Sequence, residues 1–125
     1  MSRTGRPVSP HVTIYALPIA AISSITNRVT GITLTFGAVG VGALEILGGN
    51  GTALSVVQEI SGLGLGIVTA AKFSVTFPIV YHYFGGMRHL AWDHFPQLLN
   101  NIDVAKASYV LIVSSVVTSV GLSLL

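Results

Sequence analysis

The sequence has 125 residues, of which 51% are hydrophobic and only 8% are charged. A soluble domain of this size usually carries about 25% charged residues, so a lipid-embedded chain fits the composition better than a water-exposed one. The absence of cysteine excludes disulfides and thiolate ligation of zinc or iron–sulfur clusters by this chain. The formal net charge of +2 comes without the Lys/Arg clusters that indicate nucleic-acid binding.

The amino-terminal segment, residues 1–21, contains three prolines: Pro7, Pro10 and Pro18. It lacks the apolar core of a secretory signal peptide. Proline favours extended or turn conformations in the residues before it. We therefore expect this segment to lie on the membrane surface ahead of the first helix. For a mitochondrial protein, we expect the chain to be the processed form.

Three segments that follow are long and apolar enough to cross a bilayer as helices, which takes about 20 residues each. They cover residues 22–47, 62–90 and 107–125. The third contains no charged residue, whereas the second includes Lys72 and Pro78. We predict an all-α membrane protein with three transmembrane helices in a bundle.

Basic residues predict the orientation, because Lys and Arg concentrate on the cytoplasmic or matrix side of a membrane. Arg88 and Lys106 flank the loop between the second and third spans, whereas residues 46–60 contain no Lys or Arg. The other arginines lie near the amino terminus: Arg3, Arg6 and Arg28. The amino terminus is therefore expected in the matrix or bacterial cytoplasm, with the carboxyl terminus on the opposite side.

Small residues within the spans are expected to let helix backbones approach closely in lipid. These residues are Gly31, Gly37, Gly40, Gly42, Gly62, Gly64 and Gly66. Lys72 is expected either to extend its ammonium group towards the headgroups or to pair with a carboxylate, for which Glu45 is a candidate.

The end of the second span carries the clearest chemical pattern. His82, Gly85, Gly86 and His89 occupy positions i, i+3, i+4 and i+7, so they share one helix face. Two glycines between two imidazoles predict a flat shelf for a planar macrocycle, with His82 as an axial ligand of haem iron. His89, nearer the interface, better suits contact with a propionate. A polar helix end among the headgroups explains the same pattern without a cofactor.

The two histidines of this face cannot bind one iron from opposite sides. His82 and His89 lie about 10 Å apart along the same side of the helix. A haem with two imidazole ligands would therefore take its second ligand from another polypeptide. This interpretation predicts a hetero-oligomer, in which a partner subunit would complete the bundle.

A second candidate site lies at the start of the first span. Ser24 and Arg28 are i, i+4 neighbours, which places a hydroxyl beside a permanent cation. Such a pair can hydrogen-bond a carbonyl oxygen of a lipid-soluble molecule and stabilise negative charge as that molecule is reduced. An interfacial arginine among the headgroups, with the serine packed against a neighbour, is the alternative interpretation.

Three motifs in this order resemble the cytochrome b large subunit of succinate dehydrogenase, the membrane anchor of respiratory complex II. They are RPVSPHVTIY at residues 6–15, SITNRVTG at residues 24–31 and HYFGGMRHLAWD at residues 82–93. The resemblance spans nearly the whole chain, and the first and third motifs look like the mitochondrial branch, although related bacteria share much of them. The resemblance does not extend to residues 47–58.

The resemblance implies specific roles for residues of this sequence. His82 matches the axial ligand of haem b, and His89 and Arg28 match positions near the haem propionates. Ser24, Ile25 and Arg28 match the residues lining the ubiquinone pocket. Asn27 departs from the family, which commonly has His at this position. Because asparagine cannot become cationic at neutral pH, we expect a different haem environment.

The resemblance also implies partners and a location. A small membrane-anchor subunit would supply the second haem ligand, and electrons from succinate would arrive through a flavoprotein and an iron–sulfur subunit. The isolated chain is expected to have no dehydrogenase activity. The mitochondrial inner membrane is the expected location, with a bacterial cytoplasmic membrane as the alternative.

Two other functions fit parts of the sequence. In the first interpretation, the chain is a purely structural anchor without haem. In the second it is a small transporter or channel subunit, an idea motivated by Arg28, Glu45 and Lys72 inside or near the spans.

Overall fold

Helices account for almost all of the regular structure. The protein is represented by a computed structural model that describes residues 14–125. Within this range the elements are α1 (Ile19–Gly48), α2 (Thr52–Ser61), α3 (Leu65–His94) and α4 (Asn101–Leu124), with a 3-10 turn at Pro96–Leu98. Three of them, α1, α3 and α4, are long and apolar enough to cross a membrane. The predicted all-α fold with three spans is confirmed.

The three long helices run up, down and up. The start of α1 meets the last third of α3 and the start of α4, where Arg88 donates hydrogen bonds to both Ser23 and Ser108. Arg28, Arg88 and Lys106 therefore belong to the same end of the bundle. The other basic residues used to predict the orientation, Arg3 and Arg6, lie outside the described residues, as does the surface segment as far as residue 13.

A stripe of small residues on α4 forms its buried face. Ser108, Ser115, Ser119 and Ser123 are buried along with Leu111. Their spacing places them on one side of the helix. Small side chains allow backbones to approach closely, which favours helix association in lipid.

Most of the glycines that were expected to support close packing do not touch another helix. Within the described residues, no non-local atom lies within 4 Å of a Cβ built at Gly37, Gly40, Gly42, Gly64 or Gly66. At Gly62 such a Cβ would meet only the carbonyl oxygen of Glu59, three residues earlier in the chain. The close-packing prediction is therefore wrong for these positions in this chain, and Gly31 is the exception among the seven.

The connection between α1 and α3 contains a short helix, α2, which was not among the three helices predicted from the sequence. Gly49 and Gly51 adopt φ angles of 87° and 89°, a left-handed conformation that lets the chain turn from α1 into α2. The Glu45 carboxylate then accepts hydrogen bonds from the backbone N–H groups of Gly51 and Ala53, both at 2.8 Å. These N–H groups lie at the start of α2, where no intrahelical acceptor is available, so a side chain from α1 caps α2.

The proposed pairing of Lys72 with Glu45 is wrong. The Glu45 carboxylate is bonded to the start of α2. In the part of the chain that the structure describes, the one ion pair joins Lys106 and Asp103, with 3.9 Å between Nζ and Oδ1.

The helices begin and end at positions that differ from the predicted spans. α1 begins three residues earlier, at Ile19, and α4 begins six residues earlier, at Asn101. The side chain of Asn100 caps α4 by accepting hydrogen bonds from the N–H groups of Ile102 and Asp103 at 3.1 and 2.9 Å. Hydropathy detects the lipid-embedded part of a helix, whereas a capping residue determines where the helix begins. α3 begins three residues later than predicted and ends four residues later, at His94.

Replacing Glu45 with alanine should loosen α2 without disturbing the spans. Loss of a helix cap costs about 1 kcal/mol, which corresponds to about fivefold faster amide exchange. Hydrogen–deuterium exchange of the α2 amides in the purified protein measures this change. Glu59→Ala is the control, because it removes an exposed carboxylate from α2 itself. Unchanged exchange in Glu45→Ala would contradict the capping role.

Candidate functional site

His82 lies where α3 crosses α1, with its side chain exposed on one edge. Its Nδ1 lies 3.1 Å from the backbone carbonyl oxygen of Asn27 and 3.5 Å from the Thr30 hydroxyl. The Thr30 hydroxyl donates to the same carbonyl oxygen at 2.8 Å. When Nδ1 carries the proton and donates to the carbonyl, Nε2 keeps its lone pair. This is the arrangement by which proteins orient an imidazole for metal ligation.

Gly31 provides the space for the His82 ring. A Cβ at this position would lie 2.9 Å from Cε1 of His82 and 3.3 Å from Nδ1. Any side chain there would push the imidazole away from the Asn27 carbonyl. The glycine is therefore required by the ring itself, a more specific role than the helix packing expected from the sequence.

The predicted glycine shelf is only half correct, because Gly85 is covered by α1. The Asn27 side chain occupies the space into which a Cβ of Gly85 would project. Gly86, by contrast, has no non-local atom within 4 Å of a built Cβ among the described residues. His82, Gly86 and His89 are all exposed and lie at i, i+4 and i+7. The open face between the two imidazoles thus contains one bare glycine rather than two.

Asn27 is part of the helix crossing. Its side chain lies against Gly85, and its Oδ1 is buried without a hydrogen-bond partner among the described residues. The Asn27 Oδ1 is thus turned into the crossing of α1 and α3, against Gly85.

Ser24, Ile25 and Arg28 lie on the flank of α1 that leads to His82. Ser24, Arg28 and Gly31 occupy positions i, i+4 and i+7, so the flank that carries the serine and the arginine continues to the glycine beneath the His82 ring. Arg28 is exposed, Ser24 is half-buried and Ile25 is 48% exposed. A hydroxyl, a guanidinium and an imidazole therefore follow one another along one side of the α1–α3 pair.

A buried polar network next to this flank was not anticipated from the sequence. Arg88 Nη1 donates to the hydroxyl oxygens of Ser23 and Ser108 at 3.0 and 3.2 Å. The two serine oxygens are 3.1 Å apart, and Tyr81 Oη donates to the Ser23 carbonyl oxygen at 3.2 Å. The Arg88 guanidinium carbon lies 4.6 Å from the centre of the Trp92 ring, a cation–π contact. One arginine on α3 thus ties α1 to α4.

The sequence signal for this network is the periodicity of the polar residues in α1. Ser23, Asn27 and Thr30 lie at i, i+4 and i+7 and form the buried or half-buried face of the helix. The adjacent Ser24 falls on the flank. Counting polar positions by helix face would have separated the two serines.

The remaining polar groups at this end of α3 point to the surface. His89 packs edge-on against Trp92, with 5.4 Å between the ring centres. No group of three or more His, Cys, Asp or Glu side chains suited to a metal ion is found in residues 14–125. The chemistry available to this region therefore includes the imidazoles of His82 and His89, two guanidinium groups and several hydroxyls.

Three apolar helices with polar side chains gathered at one end define an integral membrane subunit. The sequence matches the family described as succinate dehydrogenase/fumarate reductase transmembrane subunit over residues 2–122, and the chain belongs to this family. The chain is thus a membrane subunit of an oxidoreductase complex, located in a mitochondrial inner or a bacterial cytoplasmic membrane. The resemblance inferred from the three sequence motifs is confirmed.

Similar proteins come from both mitochondria and bacteria. The mitochondrial succinate dehydrogenase cytochrome b560 subunit of Sus scrofa is 36% identical over 122 residues, which cover 96% of this chain and 71% of that protein. The Homo sapiens protein of the same name is 36% identical over 127 residues, with the same coverage. The succinate dehydrogenase cytochrome b556 subunit of Paracoccus denitrificans is 39% identical over 126 residues, which cover 96% of this chain and 91% of that protein.

Removing the Ser108 hydroxyl should weaken the network that joins the three long helices. Ser108→Ala deletes an acceptor of a charged donor, and such a hydrogen bond contributes about 2 kcal/mol. We expect a lower temperature of heat inactivation of the purified complex. Ser115→Ala is the matched control, because this buried hydroxyl on the same face of α4 has no hydrogen-bond partner in the described chain. Equal stability of the two variants would contradict the proposed strength of the network.

Proposed function

We propose that this chain helps to bind a b-type haem and forms part of the ubiquinone-reduction site of a succinate:ubiquinone oxidoreductase. The observation that carries the proposal is the exposed His82 imidazole, whose Nδ1 lies 3.1 Å from the Asn27 carbonyl oxygen, so that Nε2 can act as a ligand when Nδ1 carries the proton. The names of the relatives, cytochrome b560 and b556 subunits, support a haem in proteins of this kind.

The residues around His82 fit a planar macrocycle. The Asn27 carbonyl orients the ring, Gly31 provides its space, and Gly86 leaves backbone exposed beside it. When bound, the haem supplies one-electron transfer, and the protein supplies its position and electrostatic environment. Arg28 on α1 and His89 on α3 both lie nearer than His82 to the polar end of the bundle, where negatively charged propionates would be stabilised.

The second axial ligand would come from another polypeptide. His89 is on the same helix as His82, about 10 Å away, and cannot reach the opposite face of the same iron. The exposed His82 face is therefore the surface that a small membrane-anchor subunit would cover. The haem would lie between the two subunits, so this chain alone should bind it poorly.

Ser24, Ile25 and Arg28 would form this chain's part of the quinone pocket. The Ser24 hydroxyl and the Arg28 guanidinium can both donate hydrogen bonds to a quinone carbonyl oxygen. Because arginine stays protonated in proteins, its charge stabilises the oxygen as electrons arrive, while protons must come from elsewhere. Ile25, which is 48% exposed, offers an apolar surface to the ring.

Within the complex, electrons would pass from a flavoprotein through an iron–sulfur subunit to the quinone. We place the end of the bundle that contains Arg28, Arg88 and Lys106 on the matrix or cytoplasmic side, in agreement with the distribution of basic residues. The soluble subunits would dock at this end, next to the proposed quinone pocket.

The two alternative functions receive less support. A transporter needs polar groups that line a path, but Arg28 and Lys72 lie towards opposite ends of the bundle, and Glu45 is engaged by α2. Solute flux in liposomes without a redox partner would favour that function. A haem-free anchor does not explain why His82 is oriented by the Asn27 carbonyl and why Gly31 leaves room for its ring. An optical spectrum of the complex distinguishes a haem-free anchor from the proposed haem-binding subunit.

The haem assignment predicts that His82→Ala removes the haem band from the reduced-minus-oxidised spectrum of the assembled complex. Gly31→Ala should lower haem affinity about tenfold, because its methyl group displaces the ring from its supporting hydrogen bond. Gly37→Ala is the control, since a Cβ at this position meets no non-local atom in the described chain. A haem band unchanged in His82→Ala would remove this ligand from the proposal.

The quinone assignment predicts that Arg28→Leu lowers the rate of quinone reduction on the order of a hundredfold, as expected when one preorganised charge-stabilising donor is removed. Electron transfer from succinate to a soluble artificial acceptor should be retained. Lys106→Leu, which removes another basic residue from the same end, should affect neither rate. Equal loss of both activities in Arg28→Leu would indicate defective assembly instead.

A further inference from the structure

Lys72 is the only Lys, Arg, Asp or Glu between Glu59 and Arg88. It lies seven residues after the start of α3, about 10 Å along the helix. Placing a charge inside a membrane span is costly, and such residues usually have a partner of opposite charge. The proposed haem and quinone sites lie towards the other end of the bundle and do not involve this lysine.

Among residues 14–125, no carboxylate, including that of the exposed Glu59 on α2, forms an ion pair with the Lys72 ammonium group. Glu45 accepts two backbone hydrogen bonds from the start of α2. Asp103 pairs with Lys106 at the other end of the bundle, in the one ion pair among residues 14–125. The ammonium group therefore has to find its counter-ion outside these residues or reach water.

A groove of about 350 Å³ lies beside Lys72, between α2, α3 and the end of α4. Its apolar walls include Val57 and Ile60 of α2, Val68 and Val75 of α3, and Leu122 of α4. The groove therefore has mostly apolar walls and one positively charged side chain, that of Lys72.

Both hydroxyl groups that line this groove already donate hydrogen bonds to backbone carbonyl oxygens. Ser61 Oγ donates to the carbonyl oxygen of Gln58 at 2.6 Å, and Thr76 Oγ1 donates to that of Lys72 at 2.9 Å. The Lys72 ammonium is therefore the remaining side-chain donor of the groove. An acceptor that carries negative charge matches this chemistry, whereas a cation does not.

We propose that this groove binds an anionic phospholipid, with the phosphate at the Lys72 ammonium and an acyl chain along the apolar walls. A free inorganic anion would need several donors to replace its water, and a single lysine does not provide them. An amphiphile satisfies both the charge and the apolar walls.

The position of α2 supports a lipid as the occupant. Its apolar residues Val57 and Ile60 line the groove, although Val57 is 61% exposed, and the polar Gln58 and Glu59 are exposed as well. A short helix with one apolar side suits the headgroup level of a bilayer. A phospholipid beneath it would place its phosphate near the helix and its chains deeper in the groove.

Lipid titration of the purified, delipidated complex tests the proposal. Phosphatidylglycerol and phosphatidylcholine with identical acyl chains are added in neutral detergent, and thermal stabilisation and retained lipid are measured. The native complex should prefer phosphatidylglycerol. Lys72→Met should weaken phosphatidylglycerol binding about fivefold and leave phosphatidylcholine binding unchanged. Lys106→Met, which removes a lysine from the other end, should behave like the native complex.

A second variant tests the groove separately from the charge. Ala71 lies on the groove wall, so Ala71→Leu should reduce retention of both lipids while Lys72 remains. Equal binding of both lipids by the native complex, or an unchanged preference in Lys72→Met, would overturn the proposal. Equal stabilisation by inorganic phosphate would also overturn it. Loss of a partner subunit from Lys72→Met at unchanged lipid content would assign the lysine to a protein carboxylate instead.

Discussion

Where α1 crosses α3, each helix places a polar side chain against a glycine of the other. The Asn27 side chain fills the space at Gly85, and the His82 ring lies over Gly31. The same contact brings Nδ1 of His82 to the Asn27 carbonyl oxygen. A side chain at either glycine would separate the helices and break this hydrogen bond. The orientation of the proposed haem ligand therefore depends on the backbone distance between two helices, which are stiffer supports than loops.

Polar and small residues hold this bundle together to an unusual degree. Only Val80, Tyr81 and Leu111 are buried hydrophobic side chains among the described residues, whereas many large apolar side chains are exposed. In lipid, the exposure of an apolar side chain carries little penalty, so helix association relies on close packing and hydrogen bonds. The Arg88 network provides such bonds at one end, and the serine stripe of α4 provides close packing along its length.

The two ends of the molecule have different chemistry. Arg28 and His82 lie towards the end where α1 begins, and their exposed sides are where we propose that partner subunits and a quinone bind. At the opposite end, α2 covers a groove that contains Lys72. The proposed redox site and the proposed lipid site therefore share no residue, and each can be removed without directly altering the other. Both require groups outside this chain, in agreement with its membership of a multi-subunit family.

Hydropathy alone predicted the three spans, because crossing a bilayer depends on a local sum over about 20 residues. Helix periodicity also placed His82, Gly86 and His89 on one face. The choice between neighbours was decided by tertiary structure: Gly85 is covered while Gly86 is open, and Ser23 is buried while Ser24 lies on the flank. The Glu45 cap that supports α2 is likewise a contact between elements. Periodicity describes one helix, whereas which side of it meets another helix depends on how all the helices pack.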